Sequence, residues 1–241
     1  PPYWGGPLDF LGRRAMPPHA SSSAAIAIGP SHSCVVSDGV LCWGSDRFGQ
    51  LGRGTPSGDV AADEASVVNL GSSAVAIVVG LFHSCALLVR GAVACWGLSD
   101  RGQVGLESSG NRGSSPSHFG AGLRTVPLPD TCLVVELSTG DNHTLARCED
   151  GRVFGWGAND AGQAGTGIVS VGVGMAVGEI TNLDEVLPGV VAVAIHASGA
   201  QSCLVSREGR GWCWGRGPAG VSLTPVEVAL SALISRLACG P

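Results

Sequence analysis

Charged and aromatic residues are scarce in this sequence of 241 residues: 14% of them are charged and 5% are aromatic. Hydrophobic residues make up 44%, glycine contributes 38 residues, and the formal net charge is -5. So low a charge beside so many hydrophobic residues excludes an intrinsically disordered chain. The composition indicates a compact, loop-rich and mildly acidic globular protein, long enough for one large domain or two small ones.

The sequence also lacks the usual marks of nucleic-acid binding, membrane insertion and secretion. Its 14 basic residues are scattered without any basic run, so we predict no direct contact with nucleic acid. The longest apolar stretches, residues 74–82 and 190–197, are well short of the roughly 20 residues that span a bilayer. We interpret them as buried strands and expect no membrane contact. Residues 1–4 show no basic or apolar leader region, so no signal peptide is predicted and the compartment stays open.

A repeat runs through the chain and is marked by the dipeptide Trp-Gly. Three copies extend to the pattern Trp-Gly-x4-Gly-Gln-x-Gly, which is too long to recur three times by chance. Before each of the last four Trp-Gly dipeptides, two short runs flank a glycine, which predicts a β-hairpin whose three-residue turn has a left-handed glycine. Apolar segments before and after bring each repeat to about four strands, the content of one propeller blade. The dipeptides begin at Trp4, Trp43, Trp96, Trp156 and Trp214.

The repeat indicates a fold class and a family. No segment places apolar residues at helical spacing over three turns, so the predicted class is all-β. The hairpin His-Ser-x-x-Leu and the following Trp-Gly-x4-Gly-Gln-Leu-Gly resemble the repeat of the regulator of chromosome condensation family. This resemblance covers essentially the whole chain and implies a β-propeller, which has seven blades in that family. Four full copies and parts of a fifth predict an incomplete ring of about four to five blades, or a fragment of a longer propeller.

We interpret the chain as a single propeller domain, residues 1–241. An open arc of blades exposes two sheet edges, which need cover from more chain or from a partner. The predicted blades are residues 21–70, 71–128, 129–188 and 189–230, with partial repeats at 1–20 and 231–241.

Six of the nine cysteines occupy the same two repeat positions in three of the hairpins. In the remaining hairpin, Leu145 and Gly155 replace both cysteines while the histidine stays. In the last hairpin, Gln201 replaces the histidine while both cysteines stay. A metal site or a Cys-His nucleophile would keep histidine and cysteine together, so we predict no metal, no cofactor and no catalytic residue. The three pairs are Cys34 with Cys42, Cys85 with Cys95, and Cys203 with Cys213.

The two cysteines of each pair are symmetric about the hairpin turn, so they face each other across antiparallel strands. Cα atoms at facing positions lie close enough for a disulfide. Three cross-strand disulfides are one interpretation and three pairs of buried thiols are the other, because the compartment is open. Cys132, Cys148 and Cys239 have no counterpart in the other repeats, and we interpret them as buried free thiols.

The other repeated residues have structural interpretations. Each histidine follows a glycine by three residues at the start of a strand, and we expect its ring to bond the backbone of a neighbouring blade. The Trp residues are interpreted as wedges in the core between blades. The Gly-Gln-x-Gly sequence predicts a turn whose amide side chain satisfies backbone groups.

The loops that follow Trp-Gly are the predicted binding sites, because they recur at one end of each blade, where propellers gather partner contacts. We predict a non-catalytic recognition module that binds a protein partner. Two alternatives stay open: guanine nucleotide exchange on a small GTPase, as in the family's namesake although no residue maps onto it, and a secreted disulfide-stapled inhibitor or adhesin. The candidate binding residues are Asp46, Arg47, Asp100, Arg101, Asn159 and Asp160.

Overall fold

A computed structural model describes residues 26–56 and 58–228 of the chain. These residues form four antiparallel sheets, each made of strands that are consecutive in the sequence. The helices within the described residues are short 3-10 turns, so the predicted all-β class is confirmed. The 3-10 turns are Ala62–Glu64, Val89–Gly91, Pro116–His118 and Gly120–Gly122.

We call the four sheets blades one to four, in chain order. Blade one contains β1 (Ile26–Ile28), β2 (His32–Val36), β3 (Val40–Gly44) and β4 (Val67–Val68). Blade two contains β5 (Ala74–Val79), β6 (His83–Leu88) and β7 (Val93–Gly97). Blade three contains β8 (Val134–Thr139), β9 (His143–Cys148), β10 (Val153–Asn159) and β11 (Ser170–Val173). Blade four contains β12 (Ala192–Ser198), β13 (Gln201–Ser206), β14 (Gly211–Gly217) and β15 (Gly220–Val228).

Blade two has three strands where the repeat predicts about four. After β7, the Gly- and Ser-rich residues 106–124 form two 3-10 turns and one isolated bridge instead of a strand. In that bridge Gly97 N donates to Arg112 O at 2.7 Å, and Arg112 N donates to Gly97 O at 3.0 Å. Glycine is a poor strand former, which explains why pairing with β7 stops after one residue pair.

The hydrophobic core lies between successive blades. One apolar cluster joins blades one and two through Leu51 and Trp96, and another joins blades two and three through Val104 and Trp156. A third cluster packs Trp214 of blade four against blade three. Neighbouring blades therefore bury their facing sides against each other, and the described residues form an open arc of propeller blades, as the resemblance implies.

The hairpin turns follow the predicted left-handed glycine in three blades. Gly91, Gly151 and Gly209 have φ angles of 78°, 92° and 75°, which favour glycine. The shorter hairpin of blade one differs, because Gly39 does not have a positive φ. Its lack of a side chain matters for another reason: a Cβ there would lie 2.7 Å from Cγ1 of Val67.

Candidate binding site at the blade ends

Two kinds of loop meet at one end of each blade. One is the loop after Trp-Gly, and the other is the Gly-x-x-His turn between the first two strands. In blade two Leu98 N donates to Phe82 O at 2.8 Å, and in blade three Ala158 N donates to Asn142 O at 2.7 Å. These bonds hold the two loops side by side. We call the surface they form the blade-end face, made of residues 45–51, 80–83, 98–104, 140–143 and 158–164.

The Gly-Gln turns form as predicted, with the glutamine side chain folded back on its own loop. Oε1 of Gln50, Gln103 and Gln163 each accepts a hydrogen bond of 2.8 Å from the backbone N–H two residues earlier. A second side chain closes the same turn: Leu51 N donates to Asp46 Oδ1 at 3.0 Å, and Ala164 N donates to Asn159 Oδ1 at 3.1 Å. The loops are thus rigid platforms rather than open chain.

Each Gly-Gln turn also anchors the Trp of the next blade. Trp96 Nε1 donates to the carbonyl oxygen of Gln50 at 2.8 Å, and Trp156 Nε1 donates to that of Gln103 at 3.0 Å. Trp214 makes the same bond to Gln163 at 3.0 Å. Each indole is buried, so its single N–H is satisfied where water cannot reach. These bonds agree with the interpretation of the Trp residues as wedges between blades.

The histidines also join successive blades, but to hydroxyl groups and not to the backbone, which corrects our expectation. Nε2 of His32 lies 2.8 Å from Ser84 Oγ, and Nε2 of His143 lies 2.7 Å from Ser202 Oγ. Ser84 Oγ donates its one proton to Gln50 O at 2.9 Å, so it accepts from the imidazole. In both cases the acceptor is the hydroxyl group of the residue directly after the histidine or glutamine of the next blade: Ser84 follows His83, and Ser202 follows Gln201.

These imidazoles are neutral at physiological pH. Burial lowers the pKa of His32 to about 4 and that of His143 to about 4. Burial, together with the neighbouring histidines, lowers the pKa of His83 to about 3. The preceding glycines make room for the rings: a Cβ at Gly80 would lie 2.2 Å from Cε1 of His83. The histidines therefore serve as uncharged links between blades.

The cysteine pairs of the repeat are joined by disulfides. Cys34 bonds Cys42, Cys85 bonds Cys95 and Cys203 bonds Cys213, and in each case the Cα atoms are 4.1 Å apart. The strand register places the two residues of each pair opposite each other, as the hairpin symmetry predicts. The structure thus favours disulfides over pairs of buried thiols.

Our interpretation of Cys132 and Cys148 as free thiols is wrong. The two residues form a fourth disulfide, with a Cα–Cα distance of 5.1 Å. Cys148 ends β9 opposite Val134, and Cys132 lies just before β8, so strand pairing brings the two thiols together. This bond is in blade three, the blade that lacks the repeated cysteine pair. Cys239 lies outside the described residues.

The six predicted binding residues divide into two groups in the structure. Asp46 and Asn159 are buried, and their side chains close the turns described above. Arg47, Asp100 and Asp160 are exposed and Arg101 is half-buried on the blade-end face. Arg101 reaches Asp160 of the next blade, with 3.8 Å between guanidinium nitrogen and carboxylate oxygen. Residues of blades two and three are therefore adjacent on this face.

Two phenylalanines of the blade-end face were missed by the sequence analysis. Phe48 of blade one and Phe82 of blade two are half-buried and meet edge to face, with ring centroids 5.1 Å apart. The Arg47 guanidinium lies 5.5 Å from the centroid of Phe48. With 5 phenylalanines in the chain, two in neighbouring surface loops were a signal that could have been used. Aromatic and arginine side chains are enriched at protein interfaces.

One buried polar group on this face leads to a prediction about stability. In blades two and three Gln103 Nε2 donates to Asp100 at 2.8 Å, and Gln163 Nε2 donates to Asp160 at 2.9 Å. Blade one has Arg47 at that position, and within the described residues Gln50 Nε2 is buried without a hydrogen-bond partner. We expect Arg47→Asp to supply the acceptor and raise the free energy of unfolding by about 1 kcal/mol.

Thermal and denaturant unfolding of Arg47→Asp and Arg47→Ala measure this gain. Arg47→Ala removes the same guanidinium but supplies no acceptor, so it should not be stabilised. Equal stability of the two variants would contradict the assignment.

The described ranges contain no group of three or more His, Cys, Asp or Glu side chains placed to hold a metal ion. In the same part of the chain, no helix is long and apolar enough to span a membrane.

Known proteins share the repeat that forms these blade ends. The family model described as the Regulator of chromosome condensation (RCC1) repeat matches residues 74–103 and 134–163, which run from the first strand of blades two and three to their Gly-Gln turns. The RCC1-like G exchanging factor-like protein of Mus musculus is 31% identical over 225 residues, covering 90% of this chain and 46% of that protein. This chain carries regulator of chromosome condensation repeats in blades two and three.

One further curated protein and two solved structures are also similar to this chain. The probable E3 ubiquitin-protein ligase HERC4 of Homo sapiens is 32% identical over 142 residues, which cover 58% of this chain and 13% of that protein. The chain thus spans less than half the length of these two curated relatives. Human WBSCR16 superposes with a TM-score of 0.69 at 23% identity, over 86% of this chain and 52% of that chain. Saccharomyces cerevisiae Prp20p superposes with a TM-score of 0.66 at 20% identity, over 86% of this chain and 50% of that chain.

Proposed function

We propose that this chain is a non-catalytic recognition module that binds a protein partner through its blade-end face. The observation that carries the proposal is the Phe48–Phe82 pair beneath Arg47, which spans blades one and two on a rigid surface. Rigid aromatic side chains bind partners at low cost in conformational entropy, and aromatic and arginine side chains are among those that dominate interface energies in alanine scans.

Charged side chains of the neighbouring blade-end loops would form part of the rim of the interface. Asp100, Arg101 and Asp160 lie on the loops of blades two and three. The mixture of signs favours a partner surface that also carries both charges, because like charges facing each other oppose binding. The buried Asp46 and Asn159 act indirectly in this proposal, because they hold the turns that present the exposed residues.

A double variant tests the proposal against a matched control. We expect Arg47→Ala with Phe82→Ala to weaken capture of the partner at least about 30-fold, the effect of losing about 2 kcal/mol. Arg152→Ala is the control, because Arg152 also lies over a phenylalanine, Phe154, at 5.7 Å, but beside the hairpin turn at the other end of its blade.

The measurement is affinity purification with the tagged full chain, with quantitative mass spectrometry of the bound proteins. Circular dichroism checks that each variant is folded. The proposal requires a protein that is recovered with the wild type and Arg152→Ala and lost with the double variant. Equal recovery with all three chains would reject it.

Guanine nucleotide exchange is the second candidate. It is favoured by the name of the mouse relative and by the described binding of Prp20p to Gsp1p and histones. The similarity to Prp20p is one of fold, which does not by itself carry an activity. Release of a fluorescent GDP analogue from Gsp1p distinguishes the two candidates: we expect no acceleration by this chain, and acceleration would replace the recognition proposal.

The third candidate is a secreted, disulfide-stapled propeller that acts as an inhibitor or an adhesin. The specific observation in its favour is one disulfide in each of the four blades. Disulfides persist in oxidising compartments. This candidate uses the same blade-end face and differs only in the compartment in which the chain meets its partner. Titration of the thiols with and without reductant tests it.

A further inference from the structure

A cleft lies on the outer rim of the arc, between blades three and four. Its volume is about 450 Å³. The loop after the Gly-Gln turn of blade three forms one wall with β11, and residues 182–186 with Thr224 and Pro225 of β15 form the other. The cleft is open to solvent and is wide enough for a chain segment a few residues long.

The charged side chains that line the cleft are all acidic: Glu179, Asp184 and Glu185. Glu179 is partly compensated, because its Oε2 accepts from the backbone N–H groups of residues 174–176 at 2.7 to 3.0 Å. Asp184 is exposed and Glu185 half-buried, and neither takes part in an ion pair within the described part of the chain. The cleft therefore offers two uncompensated negative charges.

Exposed aliphatic side chains lie in and beside the segment of blade three that lines the cleft. Ile168, Val169, Val171 and Val177 are 65%, 56%, 65% and 90% exposed, although they lie within ten residues of sequence. Ile168 also lines the cleft itself, together with the apolar side chains of Leu183, Val186 and Pro225. Single exposed aliphatic residues are common, but such a concentration beside a cleft marks a contact surface.

The backbone of β11, which lines the cleft, favours an extended ligand. β11 is the outermost strand of blade three, so its outer edge lies beyond the last strand pairing of that sheet. An extended peptide can add to such an edge through main-chain hydrogen bonds, with alternate side chains pointing into a neighbouring groove. Because successive side chains of a strand point to opposite sides, a basic side chain can lie on the acidic wall while its two neighbours lie on the aliphatic one.

We propose that this cleft binds an extended segment of a partner protein in which a Lys or Arg lies between aliphatic residues. Charge complementarity selects the basic residue, because Asp184 and Glu185 carry the available charge. The apolar side chains that line the cleft, Ile168, Leu183 and Val186, select the flanking aliphatic residues. This site is separate from the blade-end face, and its occupation does not depend on the function proposed above.

The test uses a fluorescein-labelled peptide of the sequence Gly-Val-Arg-Val-Lys-Val-Gly and the full chain. Fluorescence anisotropy measures the dissociation constant. We expect saturable binding that weakens about 10-fold, or about 1.4 kcal/mol, in the double variant Asp184→Asn with Glu185→Gln. The matched control is Asp63→Asn with Glu64→Gln, which removes the same charge from an exposed acidic pair in blade one and should leave binding unchanged.

Three further results decide the proposal. The charge-reversed peptide Gly-Val-Glu-Val-Asp-Val-Gly should not bind, and raising the salt should weaken binding of the basic peptide because salt screens exposed charges. Arg47→Ala with Phe82→Ala should bind the peptide normally, which separates this site from the blade-end face. Failure to saturate at millimolar concentration, equal binding of both peptides, or equal loss in the cleft and control variants would overturn the proposal.

Discussion

Lowering the pH from 7 to 5 is expected to reduce the free energy of unfolding by roughly 3 to 5 kcal/mol. The cause is the set of three buried histidines that link the blades. Their pKa values are lowered to about 4 for His32, about 3 for His83 and about 4 for His143, mainly by burial. An unfolded histidine titrates near 6.5.

The sign of the effect follows from the proton count. Between pH 6.5 and about 4 the unfolded chain binds protons that the folded chain does not, so stability increases with pH in this window. The full contribution of the neutral histidines is present above pH 6.5 and is lost as the pH falls toward 4. At the steepest point each histidine contributes about 1 kcal/mol per pH unit.

Carboxylates change stability at lower pH than the histidines, so they do not obscure the measurement. The clearest case is Glu107, whose pKa is lowered to about 2 by hydrogen bonds, chiefly from the Thr181 backbone N–H. Its contribution to stability is present above the usual glutamate pKa near 4.3 and is lost only below that value. Loss of stability between pH 6.5 and 5 therefore reports on the histidines.

The variant His143→Gln tests the assignment, since blade four already has Gln201 at this position. Denaturant unfolding at several pH values should show a dependence on pH that is weaker by about one proton than in the wild type. His196→Gln is the control, because His196 is exposed on β12 and belongs to none of the links between blades. An unchanged pH dependence in His143→Gln would show that this imidazole does not stay neutral in the fold.

Reducing the disulfides is expected to have an effect of similar or larger size. The four bonds close short loops, with sequence separations of 8, 10, 16 and 10 residues. In the chain-entropy account each such loop contributes about 2 to 3 kcal/mol, so all four contribute on the order of 10 kcal/mol. That is comparable to the whole stability of a typical domain. We therefore expect the reduced chain to lose its cooperative unfolding transition at 37 °C.

Thiol titration in denaturant checks the bonding directly. The eight cysteines of the described residues are bonded in pairs, and we interpret Cys239 as a free thiol, so we expect one titratable thiol before reduction and nine after it. The double variant Cys132→Ser with Cys148→Ser should still show one thiol before reduction and should lower the free energy of unfolding by about 3 kcal/mol. Nine thiols without reductant would contradict the disulfides and would remove the secreted candidate function.

Much of the fold was predictable because each blade repeats the same strands and turns. The Trp-Gly spacing and the hairpin symmetry located the strands, and they placed Cys85 opposite Cys95. The Gly-Gln turns could also be predicted, since the glutamine side chain bonds its own loop only two residues away. The boundaries of the blades proposed from the sequence stay a prediction.

Contacts that occur once, or that connect one blade to the next, could not be predicted. Cys132 and Cys148 have no repeat counterpart, so nothing in the sequence paired them. Phe48 and Phe82 belong to different blades, and the Ser84 hydroxyl accepts from a histidine 52 residues earlier. The candidate residues Asp46 and Arg47 are adjacent in sequence, yet one is buried and the other exposed.

By itself the sequence determined the all-β class, the hairpins, the open set of blades and the positions of the repeated cysteines. These depend on local spacing, because strand alternation and turn chemistry act over a few residues. The tertiary structure alone decided which side chains reach solvent and which meet across blades. That depends on the rotation and distance between neighbouring sheets, which bring together residues more than thirty positions apart, and no local pattern encodes them.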